Sequence, residues 1–290
     1  MVTGASGFLG PHLIRRLLAD GWEVGVVARS SSRLSHDVGQ RCRVLPSDVD
    51  QQAFLADVQG FAPDVCFHLA THFVGVHGPA DVDPLIDANL RLGTRLADAL
   101  STLPDVAFVN VGTVWQHHDG RAYGPTSLYA ATKQAFVDVL QFFAECTPLR
   151  VVTVELSDTY GPDDHRVKLL QLLVRAHRTG EPLLLSPGEQ LVDLVHVADV
   201  VEALIRAVPL ADARAPSYAV GGEPMAVRDY VALVGEVLGA AVPVEWGARP
   251  YRPREMMRPW RHFPRLPGWQ PVIDLREGLS AVLRESVPEA

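Results

Sequence analysis

With 290 residues, 48% hydrophobic and 21% charged, the chain has the composition of a soluble globular protein, one large domain or two modest ones. Its net charge of −8 excludes broad binding to a phosphate backbone, which needs a basic face, but leaves room for a local basic pocket. Three cysteines without a CxxC, no signal-peptide pattern and no apolar run of roughly 18 residues exclude a disulfide framework, a zinc site and a membrane span. The expected setting is the cytoplasm, with no nucleic acid, membrane or metal partner.

In chain order, "VTGASGFLG" begins as a strand and breaks into glycines, with only Met1 and Val2 ahead of the turn. "PHLIRRLLADG" has apolar residues at helical spacing and stops at Gly21. "EVGVVAR", "RCRVLPSD" and "DVCFHLA" read as strands, and "LIDANLRLGTRLADAL" as a long helix. A fifth strand, "AFVNVGTVW", precedes the helix "YAATKQAFVDVLQFFAE" and the strand "RVVTVELS". Strands alternating with helices predict an α/β fold, a doubly wound parallel sheet with helices on both faces. Beyond residue 160 the pattern loosens. "LVDLVHVADVVEALIRAV" reads as a short strand and a helix returning to the main domain, and "GARPYRPREMMRPWRHFPRLPGWQP" as a loop-rich cap.

Gly4, Gly7 and Gly10 form G-x-x-G-x-x-G between a strand and a helix. Such glycines permit a tight turn and let a pyrophosphate approach the backbone at the helix N-terminus. The context that pattern requires is met, so a dinucleotide site is expected, with Ser6, Phe8 and Leu9 completing the turn. An acidic residue at the end of the second strand would bind the ribose hydroxyls of NAD. Arg29 stands there instead, followed by Ser30, with Arg33 nearby. Arginine suits a 2′-phosphate and serine can add hydrogen bonds, so NADP(H) is favoured over NAD(H). The plainer alternative is that Arg29 is solvated surface.

"SLYAATKQAF" puts Tyr129 and Lys133 one helical turn apart. Alone, that spacing describes a common surface pair. After the fifth strand of a dinucleotide-binding pattern, however, strand ends open onto the cofactor crevice. A lysine ammonium there is expected to pull the tyrosine pKa down from about 10 toward neutrality. The tyrosine could then give a proton to a carbonyl oxygen as hydride arrives, or take one in reverse.

Together with "SDVD", "FHLAT", "NLRLGT", "DTYGP" and "GWQP", these residues resemble the extended short-chain dehydrogenase/reductase family, of the NAD-dependent epimerase/dehydratase type, over nearly the whole chain. "GTVWQHHDG", "LYAATKQAF", "DTYGPDD" and "SPGEQLVDLVHVADV" are most similar to its ketoreductases of nucleotide-linked deoxyhexoses. The resemblance implies Asp48 and Val49 beside the adenine, and Leu69, Ala70, Thr71, Asn89 and Leu156 around the cofactor. It implies a Rossmann NADP-binding domain over 1–158, with a return segment at about 190–208. A smaller substrate-binding domain would take 159–189 and 209–290. The implied reaction is NADPH-dependent reduction of a keto group on a nucleotide-activated 4-keto-6-deoxyhexose, and a homodimer is allowed. A nucleotide-sugar 4-epimerase with retained cofactor and a non-catalytic NADP sensor stay open beside it.

Four departures from the family pattern matter. The catalytic hydroxyl often sits in S-x-x-V-Y or T-x-x-V-Y. Aligning "VGTVW" puts Val111 at that place, with Thr113 two residues on and on the same side of the strand. Thr113 is therefore the expected partner of the substrate carbonyl. Gln116 is expected to contact substrate from a loop at the site mouth, while the adjacent His117 and His118 fit solvent-facing positions. The acidic pair of family dehydratases is replaced by Gly112 and Thr113, which argues against dehydration. Val192 replaces one family arginine near the diphosphate, and "RPRE" keeps Arg252 with Arg254 close by. Asp158 stands where many relatives have asparagine and is expected as a buried acceptor for a sugar hydroxyl.

Overall fold

The structure is a computed structural model and describes residues 1–118, 121–259 and 264–286. Its elements begin with β1 (Val2–Thr3), α1 (Leu9–Ala19), β2 (Gly25–Ala28), α2 (His36–Arg41), β3 (Arg43–Pro46), α3 (Gln51–Phe61) and β4 (Val65–His68). Then come α4 (Val82–Ile86), a π-helical turn (Asp87–Arg91), α5 (Leu92–Leu100), β5 (Ala107–Thr113), α6 (Leu128–Cys146) and β6 (Arg150–Leu156). The remainder comprises β7 (Asp158–Tyr160), α7 (Leu169–Thr179), β8 (Leu183–Leu185), β9 (Leu191–Val192), β10 (Leu194–His196) and α8 (Val197–Ala207). It ends with β11 (Ser217–Val220), β12 (Met225–Ala226), α9 (Val227–Leu238), β13 (Val244–Trp246) and α10 (Leu275–Ser286).

Seven strands form one sheet in the order β11-β6-β5-β4-β1-β2-β3, and every neighbouring pair is parallel. Short β1 is central: Val2 lies opposite Val26 on one side and Phe67 on the other. The winding reverses between β1 and β4, so the carboxyl ends of β1, β4, β5 and β6 border one crevice.

Both faces of the sheet are covered, which is why its strands read as apolar runs rather than alternations. On one face Leu13, Ile14 and Leu17 of α1 pack with Val200, Val201 and Leu204 of α8. On the other, Phe54 of α3, Leu96 and Leu100 of α5, and Phe136 and Leu140 of α6 close the core. Each such side chain contributes roughly 1.5–3 kcal/mol by leaving water. α8 thus shares the core beneath α1.

A second lobe has its own core, in which Leu170 and Leu173 of α7, Tyr230 and Val234 of α9, and Leu279 and Leu283 of α10 surround Tyr160. The segment read as a loop-rich cap, 247–271, holds no helix or strand element among its described residues. The lobe boundary differs from the sequence expectation. β11, within the span 209–290 given to the second domain, is the edge strand of the main sheet, pairing Ser217–Val220 with Thr153–Leu156. Trp269 of "GWQP" joins the main core, and its indole donates to Asp199 O at 3.0 Å. Of the arginine-rich segment 247–271, residues 260–263 lie outside the described residues, as do Asp119 and Gly120 of "GTVWQHHDG".

Candidate active site

The glycine turn follows β1 with no spare volume. Gly4 has φ +75°, and a Cβ on it would sit 2.8 Å from Ala70 N and 2.9 Å from Leu69 C. A Cβ on Gly10 would overlap Gly4 O, so Gly10 lets α1 close onto the turn. Around Gly7 only Gly4 O is near, leaving that side open. α1 starts after Phe8 without a side-chain cap and with no acid in its first turn. Free backbone N–H groups at an uncapped helix start fit a pyrophosphate. Thr3 Oγ1 accepts from Ala70 N at 2.9 Å and pairs with His68 Nδ1 at 3.0 Å, tying the turn to the end of β4.

At the adenosine end Arg29 is exposed. Both the backbone amide and the hydroxyl of Ser30 donate to the Asp48 carboxylate, at 3.0 and 2.9 Å. The Ser30 donors are therefore already engaged, contrary to the expectation that they serve a phosphate. The donation from Ser30 is the main reason the Asp48 carboxyl lies below its usual range, with Arg29 acting in the same direction.

The Asn89 amide is fully used inside the protein. Its Oδ1 accepts from Thr71 Oγ1 and His72 N, at 2.9 and 2.8 Å. Its Nδ2 donates to His72 O and Thr132 Oγ1, at 3.1 and 2.9 Å. The π-helical turn carrying Asn89 pins the 71–72 loop to α6. Asn89 thus bears on the crevice through Thr71, not by reaching a ligand itself.

The Ser127 hydroxyl caps α6 by accepting from Ala130 N at 3.2 Å. Tyr129, Lys133, Phe136 and Leu140 recur at helical spacing on its buried face. The tyrosine–lysine pair is therefore interior, with Lys133 only 2% exposed. The Tyr129 hydroxyl meets the hydroxyls of Thr71 and Thr113.

The electrostatics reverse the sequence expectation. Burial pushes the Tyr129 phenol up to about 12, Asp158 adds to the rise, and the two threonine hydroxyls oppose it. Lys133 is not among the leading influences on it. Burial instead lowers Lys133 itself to about 8, and no carboxylate among the described residues pairs with it.

Thr113 is the last residue of β5, opposite Leu156 at the end of β6, so both expected residues border the crevice. Its hydroxyl accepts from Trp115 N at 3.3 Å, and its own N–H donates to Gln116 Oε1 at 3.0 Å. These two bonds anchor Thr113 at the strand end. Gln116 is not at the mouth: it is 0% exposed and donates to Gln134 Oε1 at 3.0 Å. His117 does not face solvent either. Its Nε2 is 2.7 Å from Glu155 Oε2 and its Nδ1 is 2.9 Å from Ala122 O, with both side chains buried. A carbonyl only accepts, so Nδ1 carries a proton. Burial raises the Glu155 carboxyl above its ordinary pKa, against the pull of His117.

The second lobe supplies the outer wall. Asp158 is half-buried, not buried, and pairs with Lys168 at 3.2 Å. Arg252 grips Glu255 through Nε at 2.9 Å and Nη2 at 2.7 Å, and stacks 4.8 Å over Trp115. Arg254, at φ +58°, donates to Pro125 O at 2.9 Å. Three residues that the sequence did not single out complete the wall. Phe73 stands edge-on to Tyr129 and Trp115, at 5.0 and 5.5 Å, and Lys168 Nζ lies 4.5 Å from the Phe73 ring. The only clue lay in their positions just after the fourth strand, after Thr113, and after "DTYGP".

Known proteins resemble this chain over most of its length. A family model described as NAD dependent epimerase/dehydratase family matches residues 1–221. CDP-abequose synthase of Salmonella typhimurium is 25% identical, over 98% of this chain and 97% of that protein. UDP-glucose 4-epimerase of Mycolicibacterium smegmatis is 29% identical, over 97% of this chain and 96% of that protein. The solved structure of MoeE5 in complex with UDP-glucose and NAD superposes with a TM-score of 0.83 at 25% identity, covering 98% of this chain and 97% of that one.

Proposed function

The chain belongs to the NAD-dependent epimerase/dehydratase family, and from that premise we propose that it reduces the keto group of a nucleotide-activated 4-keto-6-deoxyhexose with NADPH. Enzymatic chemistry on nucleotide sugars with a nicotinamide cofactor follows from the family and its named relatives. The direction of reaction and the phosphorylated cofactor are our reading.

The observation that carries it is the meeting of the Tyr129, Thr113 and Thr71 hydroxyls on a buried face beside Lys133. A phenol held near 12 is fully protonated at neutral pH, the form that a proton donor needs. Thr113 orients the carbonyl: one lone pair of its hydroxyl is taken by Trp115 N, and its proton can turn from the Tyr129 oxygen to the carbonyl oxygen. Tyr129 gives its proton to the carbonyl oxygen as negative charge builds there. Lys133 would hold the nicotinamide ribose. The cofactor, when bound, supplies the hydride. The turn Gly4–Gly10 would take its pyrophosphate, and Arg29, with Ser30 committed to Asp48, would carry recognition of a 2′-phosphate. Asp158 and Arg252 are assigned to the sugar nucleotide, the arginine to its diphosphate, with Arg254 holding the loop in place.

The test is NADPH absorbance on mixing with nucleotide-linked 4-keto and 3-keto sugars. Stoichiometric loss of NADPH is expected. Interconversion of C4 epimers without net NADPH loss would replace the reading with an epimerase, which the 29% identical UDP-glucose 4-epimerase makes the one specific competitor. NADPH binding with no turnover on any sugar of the set would leave a sensor.

A further inference from the structure

Beside Tyr129 lies an apolar surface that the proton-transfer machinery does not use. Phe73, 43% exposed, presents its edge to Tyr129, and Trp115 meets Phe73 at 63°. Trp115 also lines a small surface cleft with Gly75, Val76, Thr126 and Arg252. Both rings are held from the second lobe, Phe73 by Lys168 and Trp115 by Arg252. Each of those cations has a carboxylate partner of its own, Asp158 and Glu255. The rings are thus fixed in place, and the surface between Tyr129 and the cleft is aromatic carbon.

We propose that Phe73 and Trp115 form the specificity surface for the sugar and select a methyl group over a hydroxymethyl group at the carbon next to the reacting centre. This rests on the nucleotide-sugar reading of the same site. In a hexose reduced at C4, one neighbour of that carbon bears C6. The Phe73 and Tyr129 ring centroids are 5.0 Å apart, so a sugar whose C4 oxygen meets the Tyr129 hydroxyl has Phe73 alongside it. A methyl there buries against aromatic carbon. A hydroxyl there gives up water without an acceptor on either ring, and apolar surfaces reject an added hydroxyl by up to about a hundredfold.

Binding measured by calorimetry tests this without turnover. UDP, CDP and dTDP are titrated first, and the tightest base is used for a matched pair, the nucleotide-linked glucose and 6-deoxyglucose. Wild type should bind the deoxy sugar about ten- to hundredfold more tightly. Phe73→Ser and Trp115→Gln should each bring the ratio of the two dissociation constants near one, while Phe73→Leu and Trp115→Phe keep it. The ratio cancels any general loss of affinity, such as a weakened Arg252 contact. Equal binding of the pair by wild type overturns the inference and leaves the nucleotide-sugar reading standing. So does a preference that survives Phe73→Ser and Trp115→Gln. Failure of all three diphosphates and both sugars to bind overturns that reading, and the inference with it.

Discussion

Lys133 carries an ammonium into a site where burial holds its pKa near 8 instead of 10.5, with no opposing carboxylate among the described residues. Below about 8 both states of the chain are charged there, and the native state bears a penalty of about 3 kcal/mol. As pH rises from about 8 toward 10.5 the native state releases its proton first. The unfolded chain then binds more protons, and stability increases. Lys133→Met should therefore raise the melting temperature of the cofactor-free protein by several degrees at about pH 7, at roughly 2–4 °C per kcal/mol for a chain of this size. That advantage should shrink in melts at about pH 9.5. The same variant should lose cofactor affinity and rate, a trade of stability for function. Tyr129→Phe should retain NADPH binding and lose about 10²–10⁴ in kcat, the ordinary worth of general acid catalysis. Thr113→Val should lower kcat where Val111→Ala does little, because only position 113 has a hydroxyl at the strand end. If stopped-flow traces of the two coincide, Thr113 does not orient the carbonyl. Arg29→Asp should weaken NADPH at least about tenfold more than NADH, the scale of one charge-assisted contact. Equal affinity of the wild-type protein for both cofactors would remove Arg29 from that role.

The turn from β5 into residues 114–118 depends on a partner from another strand. Glu155 of β6 reaches His117, and Gln116 beside it braces the Thr113 amide. Glu155→Leu should remove the buried carboxylate that His117 Nε2 meets, costing about 1–3 kcal/mol in denaturant melts and disturbing Thr113. Glu155→Gln should restore most of it, since its amide can donate to a neutral imidazole. If leucine and glutamine behave alike, the pair does not hold the turn. Contacts of this kind decide what the sequence can disclose. Tyr129 and Lys133 were readable because helical spacing puts them on one face, and the glycine turn because strand and helix flank it closely. His117 was not readable, since its burial depends on a carboxylate 38 residues away. Nor was the Tyr129 pKa, because spacing suggests a nearby charge but says nothing of desolvation, which outweighs it here. β11 escaped for a similar reason: four residues cannot announce which lobe they will join, and the pairing with β6 is long-range.

Across the whole molecule, the glycine turn and the second lobe are joined where the chain leaves the main sheet. His12 Nε2 lies 3.2 Å from Pro162 O, Arg15 pairs with Asp163 at 3.0 Å, and Arg166 stacks 4.0 Å over Phe8. Arg166 also holds Thr159 O at 2.8 Å, next to Asp158. The exposed Arg15 pair contributes little by itself. The stacked Arg166, partnered by the buried Asp164, is the firmer link. A residue that touches both the turn expected to bind the dinucleotide and the strand expected to face the sugar couples two equilibria, and such coupling is reciprocal. Each ligand should therefore bind more tightly when the other is already in place. Nucleotide-sugar affinity measured by calorimetry should rise when NADPH is already present, and Arg166→Ala should bring the two affinities together. An increase that persists unchanged in Arg166→Ala would place the coupling elsewhere.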